Sequence, residues 1–279
     1  GVFLEHIMQT FFHHNRLLEY APKLLQNGYK IVIVDNMTDK NELHQNLEKI
    51  RKGEIVMRRE VSQIITRGTF VDDIEFGYDS RYTLCVFEDN LNYGLVFVDT
   101  TTHEFFIGEF RDSSERAHFR TLMTRTKPVE VVYYKEYLTV DTLSIIKGMS
   151  NKPNLTPFSI LTLRETTDIF KKIKYYLKGP SKFLQEIENK TCGLPLSKND
   201  QNFMLIQALS LCLEFMESVL LAHTVFGMGN FLPFDGSFQR QGTLYLDSQA
   251  LESLEILEVP YFNSMSESAS LLGYMNKTS

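Results

Sequence analysis

Residues 82–112 read YTLCVFEDNLNYGLVFVDTTTHEFFIGEFRD. Three runs rich in β-branched and aromatic residues, 82–89, 93–102 and 104–112, read as successive strands, the last two joined by a tight turn at Thr101–His103. A helix from Ser114 to about Thr124 is expected next, with Ser113 or Ser114 as N-cap and Glu115 in its first turn. VEVVYYK (129–135) then reads as a strand and Val140–Lys147 as a helix. Three strands, helix, strand, helix is the order of an RNase H-like α/β layer, though other folds share it.

Upstream, Leu17, Leu18, Ala21, Leu24 and Leu25 form a helical stripe stopped by Asn27-Gly28, with Pro22 interrupting it. YKIVIVDNM (29–37) predicts a strand buried on both faces. After a charged helix at about 40–52, MRREVSQIITRGT (57–69) predicts a half-buried strand closing on Thr66-Arg67-Gly68-Thr69, where Gly68 offers conformational freedom.

Downstream the chain reads as helical. Over 200–226 the polar positions Asp200, Gln207, Ser210, Glu214 and Glu217 form one narrow stripe on an otherwise apolar surface. That pattern predicts a helix of about seven turns, wetted along one line and packed on its other sides. SNKPNLTP (150–157) has a linker's composition, as does the region near 72–80. Lysines dominate from Lys171 to Lys198, whereas from Asp200 onward acids outnumber Arg240 and Lys277.

The bulk properties are those of a globular chain of two or three domains: 279 residues, 43% hydrophobic, 23% charged, formal charge −6. Such a charge offers no global polycation, so any nucleic-acid contact must be local. No apolar run reaches the ~18 residues of a membrane span, and no signal peptide is expected. The start at Gly1 and the end at GYMNKTS suggest a fragment of a longer protein. Cys85, Cys192 and Cys212 are widely spaced and read as reduced thiols, two of them in the core. No histidine lies at ligand spacing from another His or Cys, so no metal site is expected.

Few residues carry visible chemistry. Asp99, with Glu104, Glu109 and Asp112 nearby, could belong to a two-metal nuclease; the plainer reading makes Asp99 a turn-capping side chain. No G-x-x-x-x-G-K-[ST] phosphate loop and no Gly-x-Ser-x-Gly elbow occurs, and VFGMGNF (225–231) follows a helix and terminates it. Arg51, Lys52, Arg58, Arg59 and Arg67 form the compact basic cluster, able to meet phosphates or to pair with Glu48, Glu54 and Glu60.

MRREVSQIITRGT resembles a signature of the MutS family of DNA mismatch-repair proteins, whose mismatch-binding domain ends on such a strand with a T-x-G-T close. Arg67 matches the version in the large, mismatch-sensing subunit of eukaryotic MutSα heterodimers. LLEYAPKLLQNGYKIVIVDNM resembles the preceding helix and strand, with Asp35-Asn36 for the usual Glu-Gln. YGLVFVDTTTHEFFIGEFRD and PVEVVYYKE resemble connector strands, and GTLYLDSQALESLEIL and SASLLGYMNKTS the first lever segments. The resemblance implies an α/β part followed by an all-α part: the end of a mismatch-binding domain with a mixed-sheet remnant (1–74), an RNase H-like connector (75–153) and the start of a helical lever domain (154–279). It places Arg51, Lys52, Arg58, Arg59 and Arg67 near DNA, and the turn into the connector at Gly68 and Thr69. It further implies nuclear mismatch repair with three partners: mismatched double-stranded DNA, a small MutS-homologue subunit, and a MutL-type protein at the connector. ATP and Mg²⁺ would belong to an ATPase domain outside this chain, which itself would be no enzyme and hold no cofactor. Several positions depart from the family. Its Phe-x-Glu wedge would lie upstream of Gly1, Phe11-Phe12-His13 replaces a Gly-x-Pro turn, and Ala250 and Ser253 replace Thr and Asn of the lever motif. An RNase H-like nuclease and a freestanding protein-interaction module are the alternatives.

Overall fold

A computed structural model describes residues 12–13, 16–36, 58–70, 81–160, 163–191, 200–234, 246–256, 271 and 275. The chain forms two compact units, Gly1–Tyr78 and Asp79–Ser279.

In the first unit, helix α1 (Leu17–Gln26) is followed by strands β1 (Ile31–Asn36) and β2 (Arg59–Ile65), paired antiparallel with a bulge between Ile33 and Val34. Pro22 sits inside α1 rather than at its start. It cannot donate to the Leu18 carbonyl, and Leu18 lies on the exposed side of the helix. Gly28, at φ 81°, ends the helix in the left-handed conformation, its N–H donating to the Leu25 carbonyl.

Ile31 and Ile33 pack on a small core of Ala21, Leu25, Ile65 and Phe70. The opposite face corrects two expectations. β1 is not buried on both sides, and β2 is exposed over Arg59–Gln63, burying Ile65. Val32, Val34 and Val61 stay 51, 52 and 45% exposed, because α1 covers one face of a two-stranded ribbon and, among the described residues, nothing covers the other. The helix expected at 40–52 lies outside the described residues.

The second unit is built on a mixed six-stranded sheet. Its elements are β3 (Tyr82–Asp89), β4 (Asn92–Asp99), β5 (Glu104–Arg111), α2 (Ala117–Thr126), β6 (Glu130–Tyr134), α3 (Val140–Lys147) and β7 (Asn154–Phe158). They continue with α4 (Thr166–Tyr176), α5 (Lys182–Thr191), α6 (Phe203–Ser218), α7 (Ala222–Gly227), β8 (Asn230–Pro233) and α8 (Ser248–Ser253). The strand order is β7-β6-β3-β4-β5-β8. β3, β4 and β5 form the antiparallel meander read from the sequence, while β6, β7 and β8 join in parallel.

The stretch read as a linker therefore supplies edge strand β7, and the tail expected to be all-α supplies both β7 and β8. Pro157 is tolerated because an edge strand leaves one side of its backbone unpaired.

Strand periodicity assigns the two faces of the sheet. Leu84, Val86, Leu95 and Phe97 meet Phe119, Leu122 and Met123 of α2 and Ile146 of α3. Phe87, on the other face, meets Phe203 of α6 edge-on, ring centroids 6.2 Å apart. Helix α6 is thus a third layer, laid against β3 and β4. Gly94 permits this approach, since a Cβ there would overlap the Met204 backbone. Four of α6's polar positions were expected to face water. Instead Gln207 and Ser210 are buried at 2% and 1% exposure, and Glu214 and Glu217 are half-buried. The seven-turn helix is also broken: α6 stops at Ser218, Leu220 takes φ 62°, and α7 starts at Ala222.

Candidate functional site

Of the predicted basic cluster, Arg51 and Lys52 lie outside the described residues. Arg58 and Arg59 are exposed at the start of β2, with Arg59 opposite Asn36 in the ladder. The Arg58 guanidinium is engaged by Glu60 through its Nε, 2.8 Å from Oε1, and its Nη2. So exposed a pair contributes little energy and can be exchanged for a phosphate.

At the other end, Thr66–Thr69 forms a closed clasp. The Thr66 N–H donates to Thr69 Oγ1 at 2.9 Å, the Thr69 N–H donates to the Thr66 carbonyl at 3.2 Å, and the two hydroxyls lie 3.1 Å apart. Arg67 is half-buried and Gly68 buried within this turn. The left-handed φ belongs to Gly28.

The four acids of the nuclease reading do not converge. Asp99 Oδ1 accepts the N–H groups of Thr101 and Thr102 at 2.8 and 3.3 Å, capping the β4–β5 turn. Glu109 accepts Asn202 N–H at 2.7 Å and Leu205 N–H at 3.3 Å, holding the first turn of α6. Asp112 accepts His118 and Phe119 N–H at 3.2 and 2.7 Å. It therefore caps α2, which Ser113 and Ser114 were expected to do. Arg116 precedes that helix with φ 55° and makes no side-chain cap. Among the described residues no three His, Cys, Asp or Glu side chains are grouped to hold a metal ion.

A buried polar network centres on Glu88, fully buried at the end of β3. Its Oε1 accepts from Tyr93 at 3.1 Å, Thr139 Oγ1 at 2.8 Å and Thr142 Oγ1 at 3.0 Å; its Oε2 accepts the Thr139 N–H at 3.0 Å. Arg116 lies 3.7 Å from the carboxylate and donates to Thr142, Thr139 and Asp141. Burial pulls the Arg116 guanidinium downward, but Tyr93, Glu88 and Asp141 outweigh it and hold its pKa above the ordinary value. The group ties β3 and β4 to the N-termini of α2 and α3. Nothing in the sequence pattern joined these residues, which lie up to 54 positions apart.

A second tie joins the sheet to α6. Glu214 accepts from Tyr134 at 3.0 Å and from Arg164 at 3.1 Å. Burial, then the Glu214 charge, pushes the Tyr134 phenol far up. Among the described residues no helix is long and apolar enough to cross a membrane.

These features describe a braced scaffold with no catalytic constellation among the described residues. The profile of MutS domain I matches residues 5–74 and that of MutS domain II residues 81–225, so the chain belongs to the MutS family. It is Msh6-like. It is 27% identical to the DNA mismatch repair protein Msh6 of Homo sapiens over 277 residues, covering 85% of this chain and 20% of that protein. It is 25% identical to MSH6 of Arabidopsis thaliana, covering 85% and 20%. Against the DNA mismatch repair protein MutS of Caldanaerobacter subterraneus the identity is 24%, covering 93% and 26%. The chain thus spans a fifth to a quarter of the length of these relatives.

Proposed function

We propose that this chain is the coupling segment of a DNA mismatch-recognition protein. It completes the domain that meets mismatched double-stranded DNA, forms the RNase H-like connector and leads into the lever helices. The observation that carries this reading is the ordered succession of MutS domain I and domain II matches over 5–74 and 81–225. The meander-and-crossover sheet supports the connector assignment. We take the connector to run beyond 153, since the domain II match reaches 225 and β8 pairs with β5; the levers then begin near α8.

In this reading Arg51, Lys52, Arg58, Arg59 and Arg67 lie toward DNA, and the clasp at Gly68 and Thr69 starts the passage into the connector. The chain performs no catalysis. A small MutS-homologue subunit and a MutL-type protein are its protein partners, in the nucleus, and ATP with Mg²⁺ is bound by a domain beyond this chain. What the segment supplies is stiffness: the Glu88–Arg116 and Glu214–Arg164 ties make the sheet and its helices one body, able to pass displacement onward.

Titration of the chain with homoduplex and G·T duplex DNA at two salt concentrations tests this. Weak, salt-sensitive binding that ignores the mismatch is expected. Strong G·T preference would put the mismatch reader inside this chain, and Mg²⁺- or Mn²⁺-dependent cleavage would restore the nuclease reading. Absence of binding at low salt would favour the interaction module.

A further inference from the structure

The lysine-rich stretch is left unused by the reading above. Over Thr166–Thr191 six lysines face three acids, Asp168, Glu186 and Glu188, in a chain whose formal charge is −6. The structure turns all six outward. On α4 the inward positions are Ile169, Phe170 and Ile173, which leaves Lys171, Lys172, Lys174 and Tyr175 on the outer surface.

We propose that the outer faces of α4 and α5, with the link between them, are a second contact surface for the phosphate backbone of duplex DNA, carried by a different unit from the β2 arginines. This inference rests on the DNA-binding reading above.

Three lysines pair with acids: Lys171 with Asp168 at 3.5 Å, Lys172 with Glu217 at 3.4 Å and Lys174 with Glu188 at 2.7 Å. Their side chains remain 77, 48 and 58% exposed, a setting in which an ion pair contributes about 0–1 kcal/mol and yields readily to a phosphate. Lys178, Lys182 and Lys190 make no ion pair among the described residues. The stem of Lys178 is laid over Gly227, where an added Cβ would stand 3.3 Å from Lys178 Cε, so its ammonium is carried on a supported arm.

Tyr175, 72% exposed, stands among these charges with its ring against Tyr176 and His223 at centroid distances of 5.1 and 5.5 Å. An exposed phenol among lysines can donate to a phosphate oxygen. Of the six lysines only Lys182 lines the cavity at the α4–α5 link; the other five are spread along the two helices and the link outside it. That spread suits a polymer carrying a charge every ~1.7 Å better than a short acidic peptide.

The test compares the intact chain with K178E/K182E and, as a control of equal charge change in the same unit, K135E/K147E. Thermal melting verifies that each folds. Each is titrated with fluorescein-labelled homoduplex over a salt series. K178E/K182E is expected to bind about tenfold more weakly at low salt, with the log–log salt slope reduced by about 0.9 for each phosphate no longer neutralised, while the control binds as the parent does. Equal affinity of K178E/K182E and parent overturns the proposal and leaves the DNA-binding reading intact; so does equal weakening by the control, which would show an effect of net charge alone. A loss of poly-glutamate binding with DNA binding retained overturns it in favour of an acidic protein partner. Failure of the parent itself to bind DNA at low salt removes both readings.

Discussion

The Glu88 carboxylate, wholly buried, faces the Arg116 guanidinium at 3.7 Å, and the two share Thr139 and Thr142 as hydrogen-bonding partners. Removing the cation leaves a buried charge held only by neutral donors, three hydroxyls and the Thr139 N–H. Arg116→Met is therefore expected to cost about 3–5 kcal/mol in urea unfolding. Adding Glu88→Gln should recover part of that loss, since the stranded charge is then gone. A single-variant loss within about 0.5 kcal/mol, the range of ordinary surface changes, would show the pair to be incidental.

Tyr93 belongs to the same group, and its phenol pKa is pushed up to about 12, first by burial and then by the Glu88 charge, against the pull of Thr142 and Arg116. The unfolded value is about 10, so the folded state holds this proton more tightly. The resulting stability is complete below pH ~10 and is lost as pH climbs through the folded value. The 295 nm titration of the parent minus that of Tyr93→Phe should show one tyrosine titrating late, and Tyr93→Phe should flatten the alkaline fall in stability. A difference titration centred near the unfolded value would contradict the enclosure.

Gly94 and Gly179 make a matched comparison. Gly94→Ala drives a methyl into the Met204 backbone, whereas nothing lies within 4 Å of a Cβ at Gly179. The first should destabilise by at least the ~1–3 kcal/mol of an overpacked core, and the second should be near neutral. Equal melting temperatures for the two variants would mean that α6 is not seated on β4.

Asp99→Ala removes the carboxylate oxygen that accepts two N–H groups of the β4–β5 turn. About 1 kcal/mol of stability should go with it, and neither parent nor variant should cut DNA with Mg²⁺ or Mn²⁺. Cleavage by the parent that vanishes in the variant would overturn the capping role.

Cys85 and Cys212 are both free and buried. Burial first, then Cys212 and Glu130, raises the Cys85 thiol well above its usual pKa, which suppresses the thiolate needed for alkylation. Peptide mapping after iodoacetamide should find Cys85 unmodified in the folded chain and modified in urea.

The meander was legible because β3, β4 and β5 are short runs rich in β-branched and aromatic residues, and the turn at Thr101–His103 announces itself by composition. The α3 helix was legible too, from Val140 to Lys147. Boundaries misled where a local signal had two meanings. Pro153 and Pro157 read as a linker, yet Pro157 sits in edge strand β7, where a missing N–H is harmless. Ser113 and Ser114 looked like caps for α2, but Asp112 reaches its N–H groups first. On β2 the arginine positions were readable, whereas the company they keep with Glu60 was one of several options.

By itself the sequence determined which residues alternate, which recur at helical spacing, in what order the elements come, and that this order and its motifs belong to the MutS family. Only the tertiary structure decided what covers each face. Periodicity states that Gln207 and Ser210 share a side of α6; it does not state that this side is buried. Glu88, Arg116, Thr139 and Thr142 become neighbours only once β3 pairs with β4 and β6 and the two helix starts are brought alongside. Such neighbours depend on register and packing across the sheet, and neither is written in the spacing of residues along one segment.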